Sequence, residues 1–300
     1  MTDSIDLNGE VALVTGASKG LGREFAIALA KAGAAVALVA RSADGLQETA
    51  ASIEATGGRT VVLTCDVVDQ NSVKATVDEA ERLLGPIDIV INNAGVVGPS
   101  GPDWELDPAE WWRVIEVNLS GQFFFAHAAM PGMVARGRGR VVNVSSHAAG
   151  FASAGFSAYC ASKAALTLWT ECLAGSAAEH GVSVMAYTPG TVKTDMTRYA
   201  ASRPDKGNRI VDGISELFAR GMDDPMENAV STFMQVAAGR FDAFPGRQIA
   251  VGDDPDVMAA AAEEIEQRGL YAVRINVLDR VSTDPADAWR GGSVPTPVSD

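Results

Sequence analysis

Between residues 10 and 251 the chain alternates short runs that are apolar almost throughout with longer, Ala-rich stretches whose apolar positions recur every three or four residues. The apolar runs fall at 10–15, 35–40, 60–65, 88–91, 140–144, 183–187 and 248–251. Runs that are continuously apolar, instead of alternating with polar residues, predict strands covered on both faces. The stretches between them read as helices at 21–32, 45–55, 70–84, 156–180 and 224–238, with a helical pattern over 108–135. Strands regularly separated by helices predict an α/β fold, a doubly wound parallel sheet in a single domain. Ligands of such sheets sit beyond the C-terminal ends of the strands.

Past that rhythm the pattern changes. Residues 1–254 are expected to form the catalytic, dinucleotide-binding domain and 255–300 a C-terminal extension. Within the extension, 259–267 reads as a short helix. Tyr271, Val273, Ile275 and Val277 alternate with their neighbours in a period-two pattern that predicts an added strand, and 291–300, with two prolines, a flexible tail.

Chemistry concentrates at the predicted strand ends. After the first strand, Gly16, Ser18, Lys19, Gly20, Leu21 and Gly22 give the spacing G-x-x-x-G-x-G before a helix. Glycines there allow a tight turn and close approach of backbone to a pyrophosphate, while the helix N-terminus offers unpaired N–H groups, so a Rossmann-type dinucleotide site is expected. The second strand ends in Val39-Ala40-Arg41, with no carboxylate to grip a ribose 2′-hydroxyl. Arg41 and Lys19 can instead bracket a 2′-phosphate, which makes NADP(H) the expected cofactor. Asp66, followed by Val67, stands where an adenine amino group could be bonded. Asn92, Ala94 and Gly95 form a turn small enough to leave room for the cofactor.

Tyr159 and Lys163 lie four apart on the 156–180 helix and share a face. A phenol has a pKa of about 10, and bringing it near 7 takes about 4 kcal/mol. A unit charge ~4 Å away at an effective dielectric of about 20 supplies that much. The pair therefore suits a proton donor and acceptor at neutral pH.

Composition narrows the class. The chain of 300 residues is 47% hydrophobic and 21% charged, ordinary for a globular core. It has no apolar run of the roughly 18 residues that crosses a bilayer, and its N-terminus is polar and acidic, so a cytoplasmic protein without a membrane partner is expected. The net charge of −14 argues against nucleic acid. Residues 253–300 carry ten acidic and four basic side chains of that total. Cys65, Cys160 and Cys172 lack metal or disulfide spacing and sit in segments that read as buried; no histidine pair has metal spacing, so no metal is expected.

Taken together, Thr15-Gly-x-x-x-Gly-x-Gly22, Asn92-Asn-Ala-Gly95, Asn118 within Val117-Asn-Leu-Ser-Gly, Ser145-Ser146, Tyr159-x-x-x-Lys163 and Pro189-Gly190 resemble the short-chain dehydrogenase/reductase family over residues 10 to about 254. The resemblance implies Tyr159 as acid/base, Lys163 as the group that lowers its pKa and holds the nicotinamide ribose, and Asn118 as the residue positioning a relay water. Ser146, thirteen residues before Tyr159, is implied as the group polarising a carbonyl, in preference to Ser145. The loop carrying Pro189, Gly190, Val192 and Thr194 is implied to cover the nicotinamide. Residues 197–226 mix apolar and basic side chains and are expected to form either a mobile lid with an apolar inner face or a fixed surface helix, with Met196 and Phe218, together with His147, as candidate substrate contacts. Helix pairing in such proteins suggests a homodimer or homotetramer.

The implied activity is NADP(H)-dependent interconversion of a secondary alcohol and a ketone. A reductase of 3-oxoacyl thioesters is the alternative within enzymes, and a non-catalytic dinucleotide-binding regulator the alternative outside them. A regulator has no need of Asn118, Ser146, Tyr159 and Lys163 together.

Overall fold

The computed structural model describes residues 5–202 and 209–274. In chain order it runs β1 (Val11–Thr15), α1 (Gly20–Lys31), β2 (Ala35–Ala40), α2 (Ala43–Glu54), β3 (Thr60–Thr64), α3 (Gln70–Leu84), β4 (Ile89–Asn92), α4 (Pro108–Ile115), α5 (Gly121–Arg136), β5 (Gly139–Val144) and α6 (Ser157–Ala177). It continues with β6 (Val182–Thr188), α7 (Asp195–Ala201), α8 (Arg209–Arg220), α9 (Met226–Ala237), β7 (Gln248–Ala250), α10 (Pro255–Ala260) and α11 (Ala262–Gln267). The strands form one parallel sheet in the order β3-β2-β1-β4-β5-β6-β7. The direction of winding reverses between β1 and β4, so a crevice opens above their C-terminal ends.

Burial on both faces explains the unbroken apolar runs. In β1, Ala12 and Val14 face a cluster with Phe25, Leu29, Tyr187 and Phe233, while Val11 and Leu13 face another with Val77, Ile87, Val90 and Phe125. Each large side chain so buried contributes about 1.5–3 kcal/mol. Capping places the helix starts: Ser42, Asp69 and Asp107 accept backbone N–H groups at the heads of α2, α3 and α4.

One expectation is refined and another corrected. The helical pattern over 108–135 is present, interrupted once: Glu116–Ser120 forms a π turn between α4 and α5, and Asn118 lies in it, fully buried. One extra residue in the turn re-aims side chains, and such turns often sit at functional sites. The expected strand beginning at Tyr271 is absent where it can be seen, because Tyr271 lies in a turn and Val273 outside any element. Tyr271 has a left-handed φ of 59° and its carbonyl accepts the N–H of Gln248 at 2.8 Å, which ends pairing along the β7 edge after one bond. Ile275, Val277 and the tail at 291–300 lie outside the described residues.

The described part of the extension packs onto the main domain. Met258 of α10 and Ile265 of α11 join the same apolar cluster as Phe25 and Tyr187. Arg247 reaches Glu266 at 2.6 Å, and Arg274 pairs with Glu171 of α6. Of the cysteines, Cys65 and Cys160 are buried, but Cys172 is exposed, on the outer side of α6.

Candidate active site

The crevice above β1 and β4 is braced from both sides. Thr15 Oγ1 accepts the N–H groups of Asn93 and Ala94 at 2.9 and 3.0 Å, and Asn93 Nδ2 donates to the Thr15 carbonyl at 2.9 Å. Gly22 packs so closely beneath this junction that a β-carbon there would overlap the Gly16 carbonyl oxygen and the Asn93 amide. Unlike α2, α3 and α4, helix α1 has no side-chain cap, and its first turn carries no acidic residue. Its N–H groups and positive dipole end are left for an outside anion.

A cavity of about 590 Å³ lies against this cradle, lined among others by Gly16, Ser18, Lys19, Gly20, Leu21 and Gly22. Arg41, Asp66, Val67, Ala94, Gly95, Thr194 and Met196 complete the expected residues along its walls. Volume, glycine cradle and uncapped helix together fit a dinucleotide. At the adenine end, burial pushes the Asp66 carboxyl up, but the Arg113 guanidinium at 2.8 Å, the Val68 N–H and the charge of Arg41 outweigh it and hold it below the usual range. Lys19 Nζ meets Asp195 Oδ2 at 2.9 Å across the mouth of the cavity, both side chains being largely exposed. Such a pair is worth about 0–1 kcal/mol, so an incoming phosphate can displace the aspartate.

Asn92 stands apart from this cavity. It is fully buried, donating to the Gln122 carbonyl and to Asn143 Oδ1 at 3.1 and 2.9 Å, and so ties β4 to β5 and α5. Asn93 is the residue of that pair that lines the cavity. Pro189, Gly190 and Val192 form the loop after β6. Gly190 has φ +77°, and a β-carbon on it would overlap the Asp224 carboxylate. That carboxylate accepts the Thr191 N–H at 2.6 Å, and Thr191 in turn accepts the Asp224 N–H at 3.0 Å. Thr194 caps α7 in a reciprocal box with Thr197.

The acid/base candidates converge where β4 and β5 meet α6. The Ser146 hydroxyl lies near enough to the Tyr159 phenol to favour its ionised form, and Lys163 Nζ sits 5.8 Å from the centre of the Tyr159 ring. Lys163 also donates to the Val144 carbonyl at 2.8 Å. Asn118 clamps Val96, accepting its N–H at 2.8 Å and donating to its carbonyl at 2.9 Å, and donates to Ser162 Oγ at 3.0 Å. Gly95 lies against both Asn118 Oδ1 and Lys163 Nζ.

Burial governs the titration of this group. Burial pushes the Tyr159 phenol up, the Ser146 hydroxyl pulls it down and Cys160 adds to the rise; the net is above the ordinary phenol value. Burial alone brings the Lys163 ammonium down to about 8. The low phenol pKa expected from the Tyr–Lys spacing is therefore not a property of this conformation. The ammonium addresses a backbone carbonyl, and desolvation favours the neutral form of both groups.

The segment expected to be a lid or a fixed helix forms α7 and α8. Its apolar side is seated: Ala200 and Val211 are buried against Val97, Ala148, Phe156 and Cys160, with Tyr159, Met196 and Ile214 packed on that cluster. Phe218 is half-buried beneath Lys193, whose ammonium lies 5.3 Å from the ring centre and pairs with Asp223 at 2.7 Å. His147 is exposed directly after Ser146, and its charge acts on the Asp253 carboxyl, which burial nonetheless raises. Arg113, Ser162 and Asp224 were not singled out from the sequence. Each acts through a partner 33 or more positions away, which residue spacing does not reveal.

The short chain dehydrogenase family model matches residues 10–205. The chain belongs to the short-chain dehydrogenase/reductase family. This family of oxidoreductases works with nicotinamide dinucleotides on small molecules. A short chain dehydrogenase from Pseudocercospora fijiensis is 38% identical over 192 residues, 63% of this chain and 62% of that protein. A 3-oxoacyl-(acyl-carrier-protein) reductase from Pseudomonas aeruginosa is 37% identical over 194 residues, 65% of this chain and 78% of that protein. Among solved structures, a gluconate 5-dehydrogenase from Burkholderia cenocepacia J2315, in complex with NADP and tartrate, superposes with a TM-score of 0.74 at 26% identity, over 86% of this chain and 98% of that one. Among the described residues no helix is long and apolar enough to cross a membrane.

Proposed function

We propose that the protein is an NADP(H)-dependent oxidoreductase interconverting a secondary alcohol and a ketone. The observation that carries this reading is the convergence of Ser146 and Lys163 on Tyr159 beside a glycine-cradled cavity. When bound, the nicotinamide supplies the hydride. In the reductive direction the Ser146 hydroxyl donates to the carbonyl oxygen as its negative charge grows, and the Tyr159 phenol gives that oxygen its proton. Lys163, backed by the Val144 carbonyl, reprotonates the tyrosine side of the site, and Asn118 orients the water that connects it to solvent. A phenol held protonated by burial suits reduction at neutral pH.

Arg41 and Lys19 support a preference for the 2′-phosphate, as does the absence of an acidic residue at the end of β2, and the NADP complex of the gluconate dehydrogenase accords with it. The similarity to a 3-oxoacyl-carrier reductase favours acyl thioesters as a second substrate class. Gluconate-like polyols are a third, from the structural neighbour.

A screen of aliphatic and steroid-like ketones, keto-sugars and 3-oxoacyl thioesters, following NADPH absorbance, tests the reading. Tyr159→Phe is expected to bind NADPH with unchanged affinity and to lose turnover by about 10²-fold or more, the scale of general acid catalysis. Turnover at the wild-type rate in that variant would overturn the mechanism.

A further inference from the structure

Three consecutive residues at the end of β5 are each held by a side chain from one face of α6. Asn143 Nδ2 donates to Thr170 Oγ1 at 2.9 Å, the Val144 carbonyl accepts from Lys163 Nζ at 2.8 Å, and Ser145 Oγ lies 2.7 Å from Thr167 Oγ1. With Tyr159 these helix residues form one stripe, 159, 163, 167 and 170, at the spacing that keeps side chains on a single face. Thr167 makes a second bond, donating to Gln248 Oε1 on the edge strand β7 at 2.8 Å. An amide oxygen only accepts, so the one hydroxyl proton of Thr167 is committed to Gln248, and the proton between Thr167 and Ser145 must come from Ser145. The result is a directed chain, Ser145 to Thr167 to Gln248, with Ser145 3% and Thr167 2% exposed.

Ser145 is adjacent to Ser146, and its backbone N–H is fixed by the Tyr187 carbonyl at 2.7 Å. Ser146 begins the turn after β5, and beyond Ser145 its local side-chain restraint is a 3.2 Å bond from the Ala148 N–H. The placement of the Ser146 hydroxyl relative to the Tyr159 phenol is thus set by how the Ser145 side chain is anchored to the same helix that carries Tyr159.

We propose that Thr167 and Gln248 are positioning residues that hold Ser146 in register with Tyr159 through Ser145. This rests on the reading that Ser146 and Tyr159 act on the substrate. Burial makes the chain consequential: removing the Thr167 hydroxyl leaves the buried Ser145 proton and the Gln248 oxygen without partners, and the turn must shift to recover them. Because the nearby Ser146 hydroxyl lowers the phenol pKa, a displaced Ser146 leaves Tyr159 harder to ionise.

The test uses the full chain labelled with 13Cζ-tyrosine. The chain has four tyrosines, and the Tyr159 resonance is assigned by its loss in Tyr159→Phe. Thr167→Val, close to isosteric, is expected to move the Tyr159 titration to higher pH with the other tyrosines unmoved, and Thr167→Ser to restore it. With the best carbonyl from the screen, kcat should fall roughly tenfold with KM for NADPH unchanged, the signature of a misplaced reacting group. Gln248→Leu should produce the same shift more weakly.

A folded Thr167→Val with an unmoved Tyr159 titration and wild-type kcat would overturn the proposal. If Thr167→Val fails to fold, Gln248→Leu decides by the same titration; if neither folds, the chain is structural and the proposal falls. Full activity of Tyr159→Phe would instead defeat the mechanism on which the proposal rests, whatever the titrations show.

Discussion

Lys163 shows how far a residue's surroundings can depart from its spacing. On the sequence it is a cation four positions from a phenol; in the fold it is 4% exposed, with its ammonium on the Val144 carbonyl. Its folded pKa of about 8 lies below the ordinary 10.5, so the unfolded chain binds more protons between those values and Lys163 withdraws stability as pH falls from 10.5 through 8. The cost of its charge at pH 7 is about 3 kcal/mol. Relative to wild type, Lys163→Met should therefore be most stable near pH 7 and lose that advantage as pH rises from 8 to 10.5, measured by urea unfolding at several pH values. Arg41 offers a second residue-scale check. Charged hydrogen bonds contribute about 1.5–3 kcal/mol, so Arg41→Ala should weaken NADPH binding roughly tenfold or more and leave NADH unchanged in fluorescence titrations. Tyr159 and Lys163 were legible as candidates from their spacing on one helix, whereas Ser146 and Asn118 entered through the family resemblance. Thr15 as the partner of Asn93 and Arg113 as the partner of Asp66 were not legible, because tertiary folding alone brings them together.

Elements were legible wherever a hydrophobic period ran uninterrupted, and all seven strands fall within a residue or two of the predicted runs. Legibility failed where geometry departs from a period without changing composition. The π turn at Glu116–Ser120 contains ordinary helix formers, and the edge at β7 is ended by a single carbonyl from a left-handed residue. The head of α1 is where an element is most exposed to one substitution. A methyl on Gly22 has no space between the Gly16 carbonyl and Asn93, so Gly22→Ala must push the loop away from the helix. Overpacking costs about 1–3 kcal/mol, and NADPH affinity should drop about 10- to 100-fold, with a lowered thermal midpoint by calorimetry. Unchanged affinity would mean the loop adjusts without opening the cradle.

For the molecule as a whole, the extension after β7 is bound into the core as far as Arg274. Ile265 is 3% exposed in the cluster that includes Phe25 and Tyr187, and its truncation leaves a cavity beneath the sheet. Ile265→Ala should cost about 2–5 kcal/mol in denaturant unfolding, well above the effect of a surface change. A loss below about 1 kcal/mol would show that the extension rides on the domain without supporting it. The sequence marked this segment by its departure from the preceding rhythm but not by where it docks, since the contacts that seat it come from Arg247, Glu171 and the β7 edge.

The extra residue in the turn at Asn118 has a bearing on how this chain can diverge. A π turn takes up one residue more than an α turn, so α5 keeps about the phase it would have on a regular helix one residue shorter. Deleting one of Glu116–Ser120 would let α4 and α5 merge with Phe125 still in the core, while the local hold of Asn118 on Val96 would be lost. Elsewhere along α4 or α5 the same deletion would turn every later side chain by about 100°, so among descendants of this sequence a one-residue change of helix length should be absorbed at 116–120 at the expense of the site and not of the fold.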